Sequence, residues 1–146
     1  MTARVWMMGV VVLTFLDLAL VGLSGCSSGP SPSATPPQNS VIFSKEIQPI
    51  FTDNCVVCHQ GAGGPARLNL EPNLAYQNLV NVPSSQSPLM RVAPGAPDKS
   101  YLLNKLRGTQ SQVGGSGAQM PFNAPPLEQT KIDLVAKWIS QGAQNN

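Results

Sequence analysis

Charged and aromatic side chains are scarce in this sequence, at 11% and 5% of its 146 residues. The 9 lysines and arginines and the 7 aspartates and glutamates form no run of either sign. This distribution is typical of a solvated surface and argues against a groove for nucleic acid. Alternation of apolar and polar side chains is confined to residues 67–70, so little sheet is expected. With 13 glycines and 14 prolines, the sequence predicts one loop-rich domain that would gain from packing around something large and apolar.

Histidine and cysteine are also nearly absent, which narrows the metal sites that the chain can build. The sequence has one histidine, His59, and three cysteines, Cys26, Cys55 and Cys58. A structural zinc site needs four ligands, and no second Cys or His cluster supplies the missing ones. A thioredoxin-like dithiol would use Cys55 and Cys58, but it expects a βαβ context that this sequence lacks. A single histidine also rules out any site in which two histidines of the chain bind one metal ion.

The N-terminal segment is typical of an exported lipoprotein. Arg4 precedes an apolar run over residues 5–16, and small residues then lead to Cys26, which is the order found in secretory signals. Residues 23–26 (LSGC) resemble the lipobox of bacterial lipoproteins, in which cleavage occurs before the Cys and several acyl chains give stable anchoring. An uncleaved membrane helix is the alternative, but Asp17 would place a charge near its middle.

These features divide the chain into three expected parts. Residues 1–25 are the signal peptide, and residues 26–40 are the lipidated Cys26 with a Ser/Pro-rich linker that has too little apolar surface to fold. The folded domain is expected over residues 41–146. The protein should then be exported and lipid-anchored in the cell envelope, on the periplasmic side or at the cell surface. Ser27 after the Cys favours the outer membrane, by resemblance to Gram-negative lipoprotein sorting.

Cys55, Cys58 and His59 form the pattern C-x-x-C-H, which indicates covalent attachment of one haem c. Two thiols three positions apart on a helical turn can reach the two vinyl groups at one edge of a porphyrin. The adjacent His59 is then held beneath the iron as its proximal ligand. The other ring nitrogen of such a histidine normally donates to a carbonyl that fixes the tautomer. A carbonyl within residues 61–65 is the expected acceptor.

Two methionines outside the signal peptide, Met90 and Met120, are candidates for the sixth iron ligand. A His/Met pair raises the haem potential. Met120 precedes Pro121, which keeps it out of a helix, and it follows the flexible residues 114–117, which can wrap around the haem edge. Met90 is expected to be buried as a packing residue. Met120 is therefore the predicted ligand, and the alternatives are Met90 or an iron position left open.

Four helical segments follow from apolar spacing and from start and stop signals. They are expected over residues 44–54, 74–80 and 98–107, and from residue 127 to just before Gly142. Asp98 is the predicted N-cap of the third, and Gly108 ends it. The apolar stripe of the fourth is wide enough for two partners, interpreted as the first helix and the haem edge. Leu68 and Leu70 are expected to cover the haem face.

This combination resembles the class I mono-haem cytochrome c family, in the form found as cytochrome c-like domains of bacterial lipoproteins. The likeness covers residues 41–143 and rests on FSKEIQPIF, CVVCH, RVAPGAPDKSYLLNKLRG, MPFNAPPL and IDLVAKWISQGA. It implies an all-α fold in which the N- and C-terminal helices cross beside a buried haem, with His59 and Met120 at the ligand positions. Two features depart from the family. Residues 71–119 form a longer middle section, and the last helix lacks a Ser, Thr or Asp cap, so its first turn should be less well held.

The function expected from these residues is electron transfer with transient redox partner proteins, without a catalytic residue. Two alternatives use the same residues. A haem enzyme or a gas or peroxide sensor would need an open iron position and polar distal groups, and the chain has no second histidine for that role. A thiol oxidoreductase would use Cys55 and Cys58 as a redox pair.

Overall fold

The computed structural model describes residues 39–146. The expected signal peptide, the lipidated Cys26 and most of the expected linker lie outside the described residues. Within them the chain forms four α-helices and no strand, and three isolated bridges are the only extended pairings. The predicted all-α class is therefore confirmed for this part of the chain. No helix in residues 39–146 is long and apolar enough to cross a membrane.

The four helices occur where the sequence predicts them. Their bounds are α1 Gln48–Asn54, α2 Ala75–Leu79, α3 Tyr101–Arg107 and α4 Gln129–Ser140. The chain enters α1 through a π-helical turn at Phe43–Ile47, and short 3₁₀ turns lie at Pro65–Arg67, Pro97–Lys99 and Gln110–Val113. Pro49 is the second residue of α1, directly after the π-helical turn, and its ring nitrogen donates no backbone hydrogen bond there.

The start of α3 differs from the prediction that Asp98 is its N-cap. Asp98 lies in a separate 3₁₀ turn, and α3 begins at Tyr101 after Ser100. The Ser100 hydroxyl is fully buried; it accepts from the Ala93 N–H at 2.9 Å and donates to the Ala96 carbonyl at 2.9 Å. This side chain closes the preceding loop and leaves the helix without a side-chain cap. The predicted end is confirmed, because Gly108 follows in the left-handed conformation (φ 73°).

The first turn of α4 has no side-chain cap, as its sequence suggested. Leu127 precedes the N-cap position and Ile132 is the fourth helical residue, and both are buried in the core. Apolar residues at these two positions are the arrangement of a hydrophobic staple. The rest of the buried stripe of α4 packs near the π-helical turn and α3. The interpretation that the haem edge is its second partner is wrong, since α4 contributes no residue to the cavity described below.

An aromatic cluster joins the two ends of the domain. The ring of Phe43 lies 5.1 Å from Trp138, 5.6 Å from Tyr76 and 6.3 Å from Phe51, measured between centroids. These separations fall in the range in which aromatic pairs attract one another. The Phe43 N–H also donates to the side chain of Asn146 at 2.7 Å. The N-terminal helical segment and α4 therefore pack together, as the resemblance implied.

Candidate functional site

A cavity of about 330 Å³ lies at the C-terminal end of α1. This volume is within the range of small-molecule and cofactor sites. Cys55, Cys58, His59 and Met120 all line it, although Met120 is distant from the others in sequence. Its wall is mainly apolar, with Leu68, Leu70, Leu79, Leu102 and Leu106 among the lining residues. The structure thus brings the four predicted haem-binding residues to one site.

Met90 does not line this cavity. Its side chain is 42% exposed, so the expectation that it is buried is also wrong. The backbone of Met90 bridges to Pro83 and to Ser100. Pairing on both sides fixes the backbone there, and the structure favours Met120 over Met90 as the residue facing a cofactor.

The two cysteines lie in a tight turn that continues directly from α1. The Cys55 N–H donates to the Phe51 carbonyl at 2.9 Å, and the Cys55 carbonyl accepts from Cys58 at 3.1 Å and from His59 at 2.9 Å. This turn places both thiols and the histidine on the cavity wall. Cys55 is half-buried, Cys58 is exposed, and no disulfide joins them.

The acidity of Cys55 does not fit a redox-active dithiol. Burial, and then the neighbouring Cys58, raise the pKa of Cys55 to about 11. Catalytic cysteines of disulfide oxidoreductases instead have a lowered pKa, because the thiolate is the reactive form. The site therefore gives the thiol oxidoreductase alternative no support.

His59 has an unusual environment for a structural histidine. Its Nδ1 atom is buried and has no hydrogen-bond partner in good geometry. Burial lowers the pKa of His59; the carbonyls of Leu68 and Pro65 oppose this shift, and the charges of Lys105 and Arg91 add to it. The Pro65 carbonyl belongs to the loop in which the sequence predicted an acceptor for the ring. A neutral imidazole with a carbonyl near one nitrogen is the form in which histidine ligates a metal.

Hydrogen bonds join the two ends of the loop that follows His59. The Leu70 N–H donates to the His59 carbonyl at 2.8 Å. The Glu71 carboxylate accepts from the Gly61 N–H at 3.1 Å and from the Asn69 amide at 2.7 Å. These two hydrogen bonds, that of Gly61 first, lower the pKa of Glu71. The loop beside the histidine is thus held in one conformation by its own polar groups.

Arg91 supports the same loop from the middle section of the chain. Its guanidinium donates to the carbonyls of Ala66 and Asn78, each at 2.8 Å. Ala66 and Arg67 both adopt left-handed backbone angles, with φ 56° and 50°, which cost about 1–2 kcal/mol per residue without glycine. The Arg91 contacts help to hold this strained segment beside the cavity.

Met120 is positioned by α3. Its N–H donates to the Lys105 carbonyl at 2.9 Å, and the side-chain amide of the preceding Gln119 donates to the Leu106 carbonyl at 2.9 Å. The Lys105 side chain is buried and its amine donates to the carbonyls of Ser116 and Ala118. The last turn of α3 therefore fixes the loop that ends at Met120.

Arg91 and Lys105 are the two lysine or arginine side chains on the cavity wall, and neither was among the residues predicted from the sequence to form the site. No carboxylate pairs with them: within residues 39–146 the one ion pair joins Lys131 and Glu128 at 4.0 Å. Burial lowers the pKa of both residues. The sequence does contain a signal that Lys105 is buried: it follows Tyr101 by four positions and so lies on the apolar face of α3. No periodicity identifies Arg91.

The residues present fit a covalently attached haem. The cavity is mainly apolar, and two unbridged thiols and the imidazole of His59 lie on its wall. A structural zinc site does not fit, because no three His, Cys, Asp or Glu side chains cluster anywhere in the described part of the chain. His59 and Met120 are a nitrogen donor and a thioether, the donor set of His/Met haem proteins.

Comparison with known proteins agrees with this site. The family described as Cytochrome c matches residues 44–143, which is more than half of the chain. Searches of curated proteins and of solved structures found no match. Members of the matched family carry haem c covalently through cysteines and serve haem-based electron transfer. Because the match includes the C-x-x-C-H turn and all four helices, the chain belongs to the cytochrome c family.

Proposed function

We propose that this protein transfers electrons between redox partner proteins, with one haem attached through Cys55 and Cys58 and ligated by His59 and Met120. The observation that carries the proposal is the shared cavity, which gathers these four residues from two distant parts of the sequence. When bound, the haem supplies the one-electron chemistry. The task of the chain is to hold, orient and shelter it.

Each side chain has a distinct task in this proposal. The thiols of Cys55 and Cys58 fix the cofactor to the turn after α1. His59 offers one ring nitrogen as a ligand, and the closed loop after it fixes the ring orientation. Leu68 and Leu70 line the cavity, where Leu70 is 2% exposed, and they exclude water from the haem face. The thioether of Met120 raises the haem potential relative to stronger donors.

The proposal assigns no catalytic residue. A haem enzyme or a sensor of gases or peroxide needs an exchangeable iron position and an acid–base group beside it. In this proposal Met120 fills that position, and His59 is the one histidine in the sequence. An electron carrier needs neither an open position nor a proton donor, and the site supports that function best.

We further propose that the protein is exported and anchored to a membrane through acyl chains on Cys26. The support is the sequence of residues 1–40, with its apolar segment, its LSGC motif and its Ser/Pro-rich linker. The linker would let the haem domain, residues 41–146, meet its partners at some distance from the membrane. The location that follows is the cell envelope, on the periplasmic side or at the cell surface, and Ser27 favours the outer membrane.

Carbon monoxide binding tests the ligand assignment. The ferrous wild-type protein should bind carbon monoxide poorly at neutral pH, because both axial positions are filled. Met120→Ala should keep the haem attached, bind carbon monoxide readily and lower the potential. Met90→Ala is the matched control and should behave as wild type. Ready binding by the wild type would favour the enzyme or sensor alternative, and an effect of Met90→Ala alone would overturn the assignment of Met120.

A further inference from the structure

Lys105 is a buried cation that has no acidic partner among residues 39–146. Its side chain is 8% exposed, and its amine donates to the Ser116 carbonyl at 3.4 Å and, more closely, to the Ala118 carbonyl. Lysine is rarely buried unless its charge is compensated. Leucine or methionine would fill this space without that cost. The two carbonyl contacts therefore indicate a role for the amine itself.

The carbonyls that accept from Lys105 belong to a segment that has only small side chains with which to pack. Residues 114–118 read Gly-Gly-Ser-Gly-Ala, and glycine loses more conformational entropy on ordering than any other residue. The Tyr101 hydroxyl donates to the Ser116 carbonyl at 2.9 Å, and the Gln110 amide donates to the Gly117 carbonyl at 2.9 Å. Donors from α3 and the turn after it thus bind carbonyls of the segment, while the Ser116 N–H donates to the Gln86 carbonyl at 3.1 Å.

Among the donors to the carbonyls of residues 114–118, Lys105 acts closest to the predicted iron ligand. Its amine reaches Ala118, two residues before Met120, whereas Tyr101 reaches no further than Ser116. Its own carbonyl accepts from the Met120 N–H at 2.9 Å. A Cβ added at Gly117 would lie 3.1 Å from the amine, so the backbone approaches Lys105 closely there. One residue therefore holds the segment on both sides of Gln119.

We propose that Lys105 is a positioning residue, which holds the loop of residues 116–120 against α3 and so presents Met120 to the haem iron. The inference rests on the proposed ligation by Met120. Hydrogen bonds from a charged donor are about twice as strong as neutral ones, and this one replaces the packing that a glycine-rich loop cannot supply. Without the amine the loop should open, and Met120 should leave the iron for part of the time.

The test compares three variants of the haem-loaded protein. Lys105→Met keeps the length and the apolar stem but removes the amine. Lys105→Arg keeps a cation with several donors. Lys99→Met makes the same change as the first variant at an exposed lysine. Two readouts are needed: the charge-transfer absorption band of Met-ligated ferric haem, and hydrogen exchange of the amides in residues 114–120, with α4 as the internal reference.

Lys105→Met should weaken the charge-transfer band and speed exchange in residues 114–120 by about tenfold or more, the loss expected for a charged hydrogen bond. Exchange in α4 should change much less. Lys105→Arg should restore most of the band, and Lys99→Met should match wild type. The proposal is overturned if Lys105→Met keeps the band, or if α4 and the loop speed up equally, since Lys105 would then support only packing.

Failure of the proposed ligation would be seen separately. If Met120→Ala leaves the charge-transfer band of the ferric protein intact, Met120 is not the iron ligand and the proposed function needs another one. The exchange rates of residues 114–120 in Lys105→Met would still show whether the lysine holds the loop. The two readouts therefore test the ligand assignment and the role of Lys105 independently.

Discussion

Replacement of Phe43 measures how much the aromatic cluster between the two ends of the domain contributes to stability. Phe43 is 5% exposed and packs against Trp138, Tyr76 and Phe51. Truncation of a buried Phe to Ala costs about 3–5 kcal/mol from lost burial and the cavity left behind. Phe43→Leu keeps most of the volume but loses three aromatic pairs, each worth about 0.5–1.5 kcal/mol. We expect losses of about 4 kcal/mol for Phe43→Ala and about 2 kcal/mol for Phe43→Leu.

Chemical unfolding of the haem-loaded protein, followed by far-ultraviolet circular dichroism, gives these free energies. A domain of this size has about 5–15 kcal/mol of stability, so Phe43→Ala should remove a large part of it. The visible spectrum of the folded variants should be unchanged, because Phe43 does not line the cavity. Equal losses for the two variants, or a loss below about 1 kcal/mol for Phe43→Ala, would refute the cluster as a major source of stability.

Two further predictions concern the loops beside the cavity. Gly115→Ala would place a Cβ 2.8 Å from the Gln110 carbonyl and against the Tyr101 ring, and this should cost about 1–3 kcal/mol in unfolding free energy. Gly63→Ala, which meets nothing within 4 Å, is the control, and equal effects would contradict the crowding. For Glu71 the folded pKa is lowered from 4.5, so its hold on the loop is present above that pH and is lost as pH falls through the folded pKa. The Gly61 amide resonance should titrate with a midpoint below 4.5, and a midpoint at or above it would contradict the hydrogen bond.

Most of the fold could be predicted from local signals. Apolar spacing located all four helices. Gly108 and Gly142 marked helix ends, because both have a positive φ, which glycine adopts more easily than other residues. The start of α3 could not be predicted in this way. Asp98 and Ser100 both suit an N-cap, and the choice depends on the loop before the helix, where Ser100 binds two backbone groups.

The candidate site divides in the same way. The sequence predicts Cys55, Cys58 and His59 because haem attachment requires them at a short, fixed spacing. It predicts Met120 because only one other methionine, Met90, lies outside the expected signal peptide. The role of Arg91 and the packing of α4 against α3 could not be predicted from the sequence, since both depend on contacts between distant residues. Arg91 reaches carbonyls 13 and 25 residues away, and no spacing in the sequence encodes such contacts.

The most direct test of the central claim is a pyridine haemochrome measurement on protein produced with cytochrome c maturation machinery. After denaturation and extraction, one haem should remain bound to each chain, with the spectrum of a haem joined by two thioether bonds. Loss of either Cys55 or Cys58 to Ala should change that spectrum or reduce the haem retained. A folded wild-type chain with no covalently bound haem would contradict the account.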